Sequence, residues 1–451
     1  MYLYALPIQW LMKTNEHEKP SIRLLVLNPG HFHAALVQKR MYPEIAPTVN
    51  VYAPKGPDLD AHLNLIRGFN KRAKNPTNWD ERVYRGPDYL HKMLQDKAGN
   101  VVIISGNNKQ KINYILSSIE AGFNVLADKP MAITPNDFKL LRRAFELAQE
   151  KKVLLYDIMT ERYAITNIIQ RELTRNPEVF GTLEKGSPEK PAVVMESIHH
   201  FYKKVDGKPL KRPEWFFDTR HQGGAMVDVG THLVDLVQWM GFPDQIIDWR
   251  NDIKIISSKC WPTMLSLRQF RAITGLNEYP DLLKKYINPA NILEVNQNGE
   301  VIYTLRGVHI RVRTLWNFEA EPGASDTNQS MLRGSNANLT MRQGIEQKWK
   351  QVLYVEKKTP IPDGEYEKKL RASISTLCAT WPGLDIKPTG STWEIIVPKK
   401  YEASHEDHFA QVTERYLRYL GESELPEWEV ANTIAKYYTT TEANYAQQLQ
   451  T

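Results

Sequence analysis

Five short apolar, β-rich runs recur through the first third of the chain, with turns and helical patterns between them. They lie at residues 22–27 (IRLLVL), 49–53, 101–105 (VVIIS), 123–127 (FNVLA) and 153–158. Such runs fill parallel strands that are buried on both faces. Helical periodicity occupies 111–121 and 135–151, and Thr134 stands as an N-cap before the second. Strands alternating with helices predict βαβ units, right-handed crossovers and a doubly wound parallel sheet. Ligands of such sheets sit beyond the carboxyl ends of the strands. The turns Asn28-Pro29-Gly30, Ser105-Gly106-Asn107 and Asp128-Lys129-Pro130 therefore meet at one edge, although they are far apart in sequence.

The first of these turns continues as His31-Phe32-His33, where a dinucleotide fingerprint G-x-G-x-x-G would stand. Gly30 keeps the position at which backbone must approach a pyrophosphate. Asn28 tolerates the φ of a tight turn. His33 is bulky where helix and strand normally pack closely, so an ordinary strand–helix turn also fits these letters. The second strand runs into Ala53-Pro54-Lys55 without the acid that holds the adenosine ribose of NAD. Lys55 could meet a 2′-phosphate, Asp58 and Asp60 follow, and NAD and NADP both stay open.

Beyond residue 158 the pattern changes. Residues 192–198, 247–257, 292–295, 301–305, 308–316, 350–356 and 392–397 are β-rich, and Asn298-Gly299 signals a hairpin. Hairpins and long loops rather than helices link them, which predicts a mostly antiparallel sheet. Two helices, 402–420 and 427–449, close the chain on either side of Gly421 and Leu425-Pro426.

Within this half runs Gly223-Gly224-Ala225-Met226-Val227-Asp228-Val229-Gly230-Thr231-His232. On a helix, Asp228 and His232 share one face, one turn apart. A carboxylate so placed can orient an imidazole that moves a proton, or bind substrate itself. A helix start with Asp228 in its dipole-favoured first turn explains the same letters. The inter-domain cleft next to the sheet edge is a preferred place for a small-molecule site.

With 451 residues the chain exceeds one ordinary core, and 42% hydrophobic with 24% charged residues marks a globular protein. Its net charge of +6 is spread along the chain, which argues against a nucleic-acid surface. No apolar run reaches the ~18 residues of a membrane span. Residues 1–12 are apolar but lack a basic n-region and a cleavage site, so 1–20 reads as a tail and the cytoplasm as the default location. Cys260 and Cys378 read as two buried thiols. His405 and His408 read as a solvated or capping pair, and His199-His200 on a strand should point to opposite faces, so no metal is expected.

Two segments now carry a resemblance. Ala121-Gly122-Phe123-Asn124-Val125-Leu126-Ala127-Asp128-Lys129-Pro130 resembles the AGxxVxxEKP segment of the Gfo/Idh/MocA oxidoreductases, and Gly223 to His232 resembles their GGGxxxDxGxH segment, with Trp215-Phe216-Phe217-Asp218 as its lead-in. The resemblance spans roughly 22–241. It implies a Rossmann domain at 21–158 and an α+β domain at 159–451, with C-terminal helices at 402–449 and a large, mostly antiparallel open sheet that makes dimers or tetramers. It implies hydride transfer between NAD or NADP and a sugar, polyol or related hydroxyl compound. Lys129, Asp228 and His232 fall on the family's catalytic positions. Asn28, Gly30, His31, Phe32, His33, Ser105, Gly106, Asn107, Gln110, Asp128 and Lys129 fall on its cofactor side. The chain departs from the family at Asp128 for Glu, at His33 for Gly, at residues 105–110 for TPNxxH, and in the missing ribose acid. A glycosidase that oxidises its sugar transiently on bound NAD, and a sugar-binding protein without turnover, would use the same residues.

Overall fold

The computed structural model describes residues 21–205 and 208–448. The 1–20 tail and the final residue of the expected 402–449 segment lie outside them. The first part runs β1 (Leu24–Leu27), α1 (His33–Leu36), β2 (Thr48–Ala53), α2 (Pro57–Lys71), β3 (Asp80–Arg85), α3 (Tyr89–Asp96), β4 (Val101–Ile104), α4 (Lys111–Glu120), β5 (Asn124–Asp128), α5 (Pro135–Lys151) and β6 (Leu155–Ile158). These six strands form a parallel sheet ordered β3-β2-β1-β4-β5-β6, the doubly wound arrangement. β1, β4 and β6 are buried at every residue, which is why they read as unbroken apolar runs. α5 starts on Thr134 as expected: its hydroxyl accepts from the Asp137 amide at 3.1 Å and Asp137 accepts from the Thr134 amide at 3.0 Å, a reciprocal cap.

The second part runs α6 (Ile165–Thr174), β7 (Val193–Tyr202), the short ribbon β8 (Lys204–Val205) and β9 (Lys208–Pro209), α7 (Thr219–Gln222), α8 (Ala225–Gly241), β10 (Ile253–Ser266), α9 (Leu267–Thr274), β11 (Ile292–Leu305), β12 (Val308–Glu319), β13 (Thr327–Arg333), β14 (Ala337–Arg342), β15 (Val352–Lys357), α10 (Asp363–Leu377), β16 (Asp385–Thr389), β17 (Thr392–Ile396), α11 (His405–Glu422) and α12 (Glu427–Gln448). Nine strands make one sheet ordered β10-β11-β12-β7-β13-β14-β15-β17-β16, antiparallel except where β12 meets β7.

Asn298-Gly299 is no turn: β11 runs through it, with Gly299 paired to Cys260 on one side and Thr314 on the other. The chain reverses instead at Arg306-Gly307, both at positive φ (53° and 78°), the conformation of a tight hairpin. Helices α9 and α10 interrupt what was read as loops. Gly421 lies inside α11 rather than between the last two helices. Cys260 and Cys378 are free and only half-buried.

α8 is apolar nearly all round because it is enclosed. Met226, Leu233, Val237 and Met240 pack with Val193, Met195, Val301 and Ile310 of the large sheet, and with Ala435 and Ala443 of α12. α11 leaves the second part altogether. Its Phe409, Val412, Tyr416 and Tyr419 share a core with Val26, Val51, Ile103 and Tyr156 of the parallel sheet. Among the described residues, no helix is long and apolar enough to cross a membrane.

Candidate active site

The turns after β1 and β4 touch backbone to backbone. A Cβ on Gly106 would stand 2.6 Å from the Asn28 carbonyl oxygen, and one on Gly30 would stand 3.4 Å from the Gly106 Cα. The Gly30 amide donates to the Ser105 carbonyl at 3.1 Å, and Asn28 takes a positive φ of 45°. A strand–helix turn of this kind binds a diphosphate through backbone amides that point outward. Among the described residues, the Phe32 and His33 amides beside it donate to no acceptor. The residues at this edge therefore fit a dinucleotide.

Asp128, at the end of β5, gathers the rest of the edge. It accepts from Ser105 Oγ at 2.9 Å and faces His31 Nδ1 at 3.1 Å and His33 Nδ1 at 3.0 Å. Burial alone would raise its carboxyl pKa, but the imidazoles on either side reverse that and hold it well below the usual range. Burial keeps His33 neutral. The bulk of His33 at the third fingerprint position is absorbed by α11: its ring packs 4.4 Å from Phe409, and Nε2 lies 3.3 Å from His405 Nε2. His31, His33 and Asp128 hold their ligand atoms within 4.8 Å of one another, a spacing a cation could share, and their contacts are already hydrogen bonds.

Lys129 follows, with a cis peptide to Pro130. Its Nζ donates to Asp228 Oδ1 at 2.6 Å, across the boundary between the two sheets. Burial favours the neutral amine, yet Asp228 and Asp128 outweigh it, so the Lys129 pKa rises. Asp228 is held below its ordinary value by the same pair, against burial. Asp228 comes from the first turn of α8, whose entry needs both glycines. Gly223 and Gly224 adopt φ of 117° and 95°, and a Cβ on Gly223 would stand 2.4 Å from Val227.

Asp228 is expected to orient His232 or to bind substrate; among the described residues no hydrogen bond joins it to His232, and its Oδ1 accepts from Lys129 instead. His232 is half-buried, and its buried Nδ1 has no partner. Burial and then the charge of Lys129 push its pKa well below the ordinary value, so it is neutral at pH 7.

The other expected residues divide. Asn107 Nδ2 meets His221 Nδ1 at 2.9 Å and thereby ties the β4 turn to the second part. Gln110 is exposed and accepts from Asn113. Phe32 is exposed at the rim, its ring 4.6 Å from that of His31. His199 and His200 do not diverge: their Nδ1 atoms lie 2.9 and 3.2 Å from the two oxygens of Asp326, which Lys203 also holds. Sequence reasoning missed Lys111, fully buried, whose ammonium donates to the Asp128 carbonyl at 2.9 Å and whose pKa burial lowers to about 8. It also missed Asp326 and Arg212. The latter stacks 4.5 Å from the Phe216 ring and 5.1 Å from Trp316. A lone charged residue in a helical or loop sequence carries no mark of its partner, so no sequence signal distinguished them.

Comparison with known proteins agrees with this geometry. The family described as "Oxidoreductase family, NAD-binding Rossmann fold" matches residues 59–157, starting after the β1 turn. A second, "Putative oxidoreductase C terminal domain", matches residues 169–448, more than half of the chain. The chain is 50% identical to a crystal structure described as a putative oxidoreductase from Parabacteroides merdae ATCC 43184, over 96% of this chain and 98% of that one, with a TM-score of 0.94. It is 25% identical to the D-glucoside 3-dehydrogenase of Escherichia coli (strain K12) over 192 residues, 41% of this chain and 46% of that protein, so the match spans about half of that relative's length. A 3-ketoreductase from Actinomadura kijaniata, solved with TDP-benzene and NADP, shares the fold at 14% identity and a TM-score of 0.54, over 92% of this chain and 94% of that one.

Proposed function

Because the chain belongs to the Gfo/Idh/MocA oxidoreductases, with their NAD-binding Rossmann fold, we propose that it transfers hydride between NAD(P) and a hydroxyl-bearing carbon of a sugar, glucosides being the first candidates. One observation carries this reading: Lys129 and Asp228 pair at 2.6 Å at the edge of the parallel sheet, with His232 one helical turn from Asp228. The nicotinamide, when bound, supplies the hydride acceptor. The Phe32 and His33 amides on the Gly30 turn would hold the diphosphate, and Asp128 and Lys129 would border the reacting end. His232, neutral at pH 7, takes the proton of the substrate hydroxyl through a nitrogen. Lys129 stays charged and donates a hydrogen bond to the same oxygen, steadying the negative charge that develops there. Asp228 keeps Lys129 charged and aimed.

The cofactor side offers a further expectation. Asp58, in the first turn of α2, reaches back over the loop: a Cβ on Gly30 would stand 2.9 Å from its Oδ2, which accepts from Trp215 Nε1 at 3.2 Å. A carboxylate over this glycine takes the place of the acid missing from the end of β2, and it accepts from ribose hydroxyls but repels a 2′-phosphate. NAD should therefore bind about tenfold or more tightly than NADP, the worth of one hydrogen bond to a charged group. Asp58→Asn should close that gap, as read by calorimetric Kd for both cofactors. Equal affinities in the unaltered protein would refute the assignment.

The function itself is tested by incubating purified protein with NAD or NADP and a panel of sugars, followed at the nicotinamide absorbance. Reduction by at least one glucoside is expected. A cofactor that binds but is never reduced by any sugar would reject hydride transfer.

A further inference from the structure

A cavity of about 580 Å³ opens between the loop after β6, the β13–β15 end of the large sheet and the start of α11. That volume lies within the range of about 300–1,000 Å³ of small-molecule sites. Lys129, Asp228 and His232 do not line it, but residues of its wall reach toward the groups that surround them. Glu161 on its wall feels the charge of Lys129. His405, which also lines it, lies 3.3 Å from His33, which holds Asp128. Asp326, also on its wall, lies 2.9 Å from His199 Nδ1.

Its charge is one-sided. Glu161, Asp326, Glu394 and Glu402 line it, against a single cation, Lys350, which is already spent on both oxygens of Glu402 at 3.0 Å. His405 and His408 add no positive charge at pH 7, since burial lowers both, His405 to about 4. Arginine and lysine are the side chains that recognise phosphate and carboxylate best, and among the described residues this wall has none to spare. It has amides instead: Asn328 and Gln351 can each donate and accept, whereas Gln343 is spent on the Asn328 amide and on the carbonyls of Asp326 and Trp349. That is the equipment for hydroxyl groups.

We infer that this cavity holds a second, uncharged sugar, so that the substrate is a neutral disaccharide or comparable glycoside rather than a nucleotide-linked or phosphorylated sugar. The inference rests on the reading of Lys129, Asp228 and His232 as the reacting centre. The reacting ring sits over that centre, and its glycosidic partner extends into the acid- and amide-lined space beyond.

The test is steady-state turnover by the protein loaded with its preferred cofactor. Probes are methyl glucoside, a set of neutral glucose disaccharides, glucose 6-phosphate and a nucleotide-linked glucose. At least one disaccharide should exceed methyl glucoside about tenfold in kcat/KM, with both charged sugars lower still. Gln351→Ala should raise KM about tenfold for that disaccharide, with kcat and the methyl glucoside KM unchanged. Thr166, its partner at 2.7 Å, offers a second variant, Thr166→Val, with the same expectation. A nucleotide-linked or phosphorylated sugar as the best probe, or variants that act equally on one-ring and two-ring sugars, would overturn the inference and leave hydride transfer standing. No turnover of any probe would overturn both.

Discussion

His232→Ala should lower kcat by about 10²–10⁴, the usual share of a positioned general acid–base group, while the protein stays folded. The separation of the two effects follows from the site. Among the described residues, the Nδ1 of His232 has no partner, so truncation breaks no hydrogen bond there. Lys129 and Asp228 keep each other at 2.6 Å, so no charge is left uncompensated. The pH profile supplies a second readout. Burial and Lys129 depress the imidazole pKa, so the base form persists as pH falls below the usual histidine range. The unaltered enzyme should therefore lose kcat/KM only well on the acid side of pH 6.5, the ordinary histidine value. Undiminished kcat in His232→Ala, measured at saturating cofactor, would remove His232 from the mechanism.

Arg162→Met should destabilise the fold by about 3–5 kcal/mol, the cost of breaking a buried ion-pair network on one side. Arg162 follows β6 and donates to both oxygens of Asp235 on α8 at 2.6 Å, and to both of Glu429 on α12 at 2.9 Å. Lys436 extends the network, 3.0 Å from Asp235 and 2.9 Å from Asp157 on β6. Two cations thus serve three buried carboxylates, and methionine would leave one cation for three. Asp235 also gives the expectation a pH sign. Burial would raise its carboxyl pKa, but Arg162 and Lys436 more than reverse this and hold it far below the unfolded value. Its contribution is present above the ordinary carboxyl pKa and lost only in strong acid. Arg162→Met should move acid unfolding to higher pH as well as lower the midpoint in urea. An unchanged midpoint and an unchanged acid limb together would show that the network holds nothing.

The parallel sheet was legible where burial is complete. β1, β4 and β6 announce themselves because every residue faces apolar neighbours. β3 (DERVYR) does not, because it lies at the edge of its sheet with no fully buried residue. The hairpin expected at Asn298-Gly299 failed because local turn preference yields to nonlocal pairing on both sides of β11. Arg306-Gly307, the actual reversal, lacks the Asn-Gly or Asp-Gly letters that would have marked it. At the site, motif spacing brought Lys129, Asp228 and His232 to attention. It could not settle which of them pair. Spacing on a helix sees a neighbour four residues away, whereas a charged ammonium 99 residues upstream makes the stronger bond to the carboxylate. Arg162 and Glu429, separated by 267 residues, were invisible for the same reason.

The packing of α11 bears on the order in which the polypeptide is made. All six strands of the parallel sheet have been synthesised by Ile158, but one face of that sheet is completed by Phe409, Val412, Tyr416 and Tyr419. The part of that face not covered by α1 and α2 stays open to water until residues some 250 positions further on have been made. The nucleotide-binding sheet, made in the first third of the chain, thus waits for α11. A nascent chain halted near residue 160 should need chaperone cover over that face rather than stand as a finished domain.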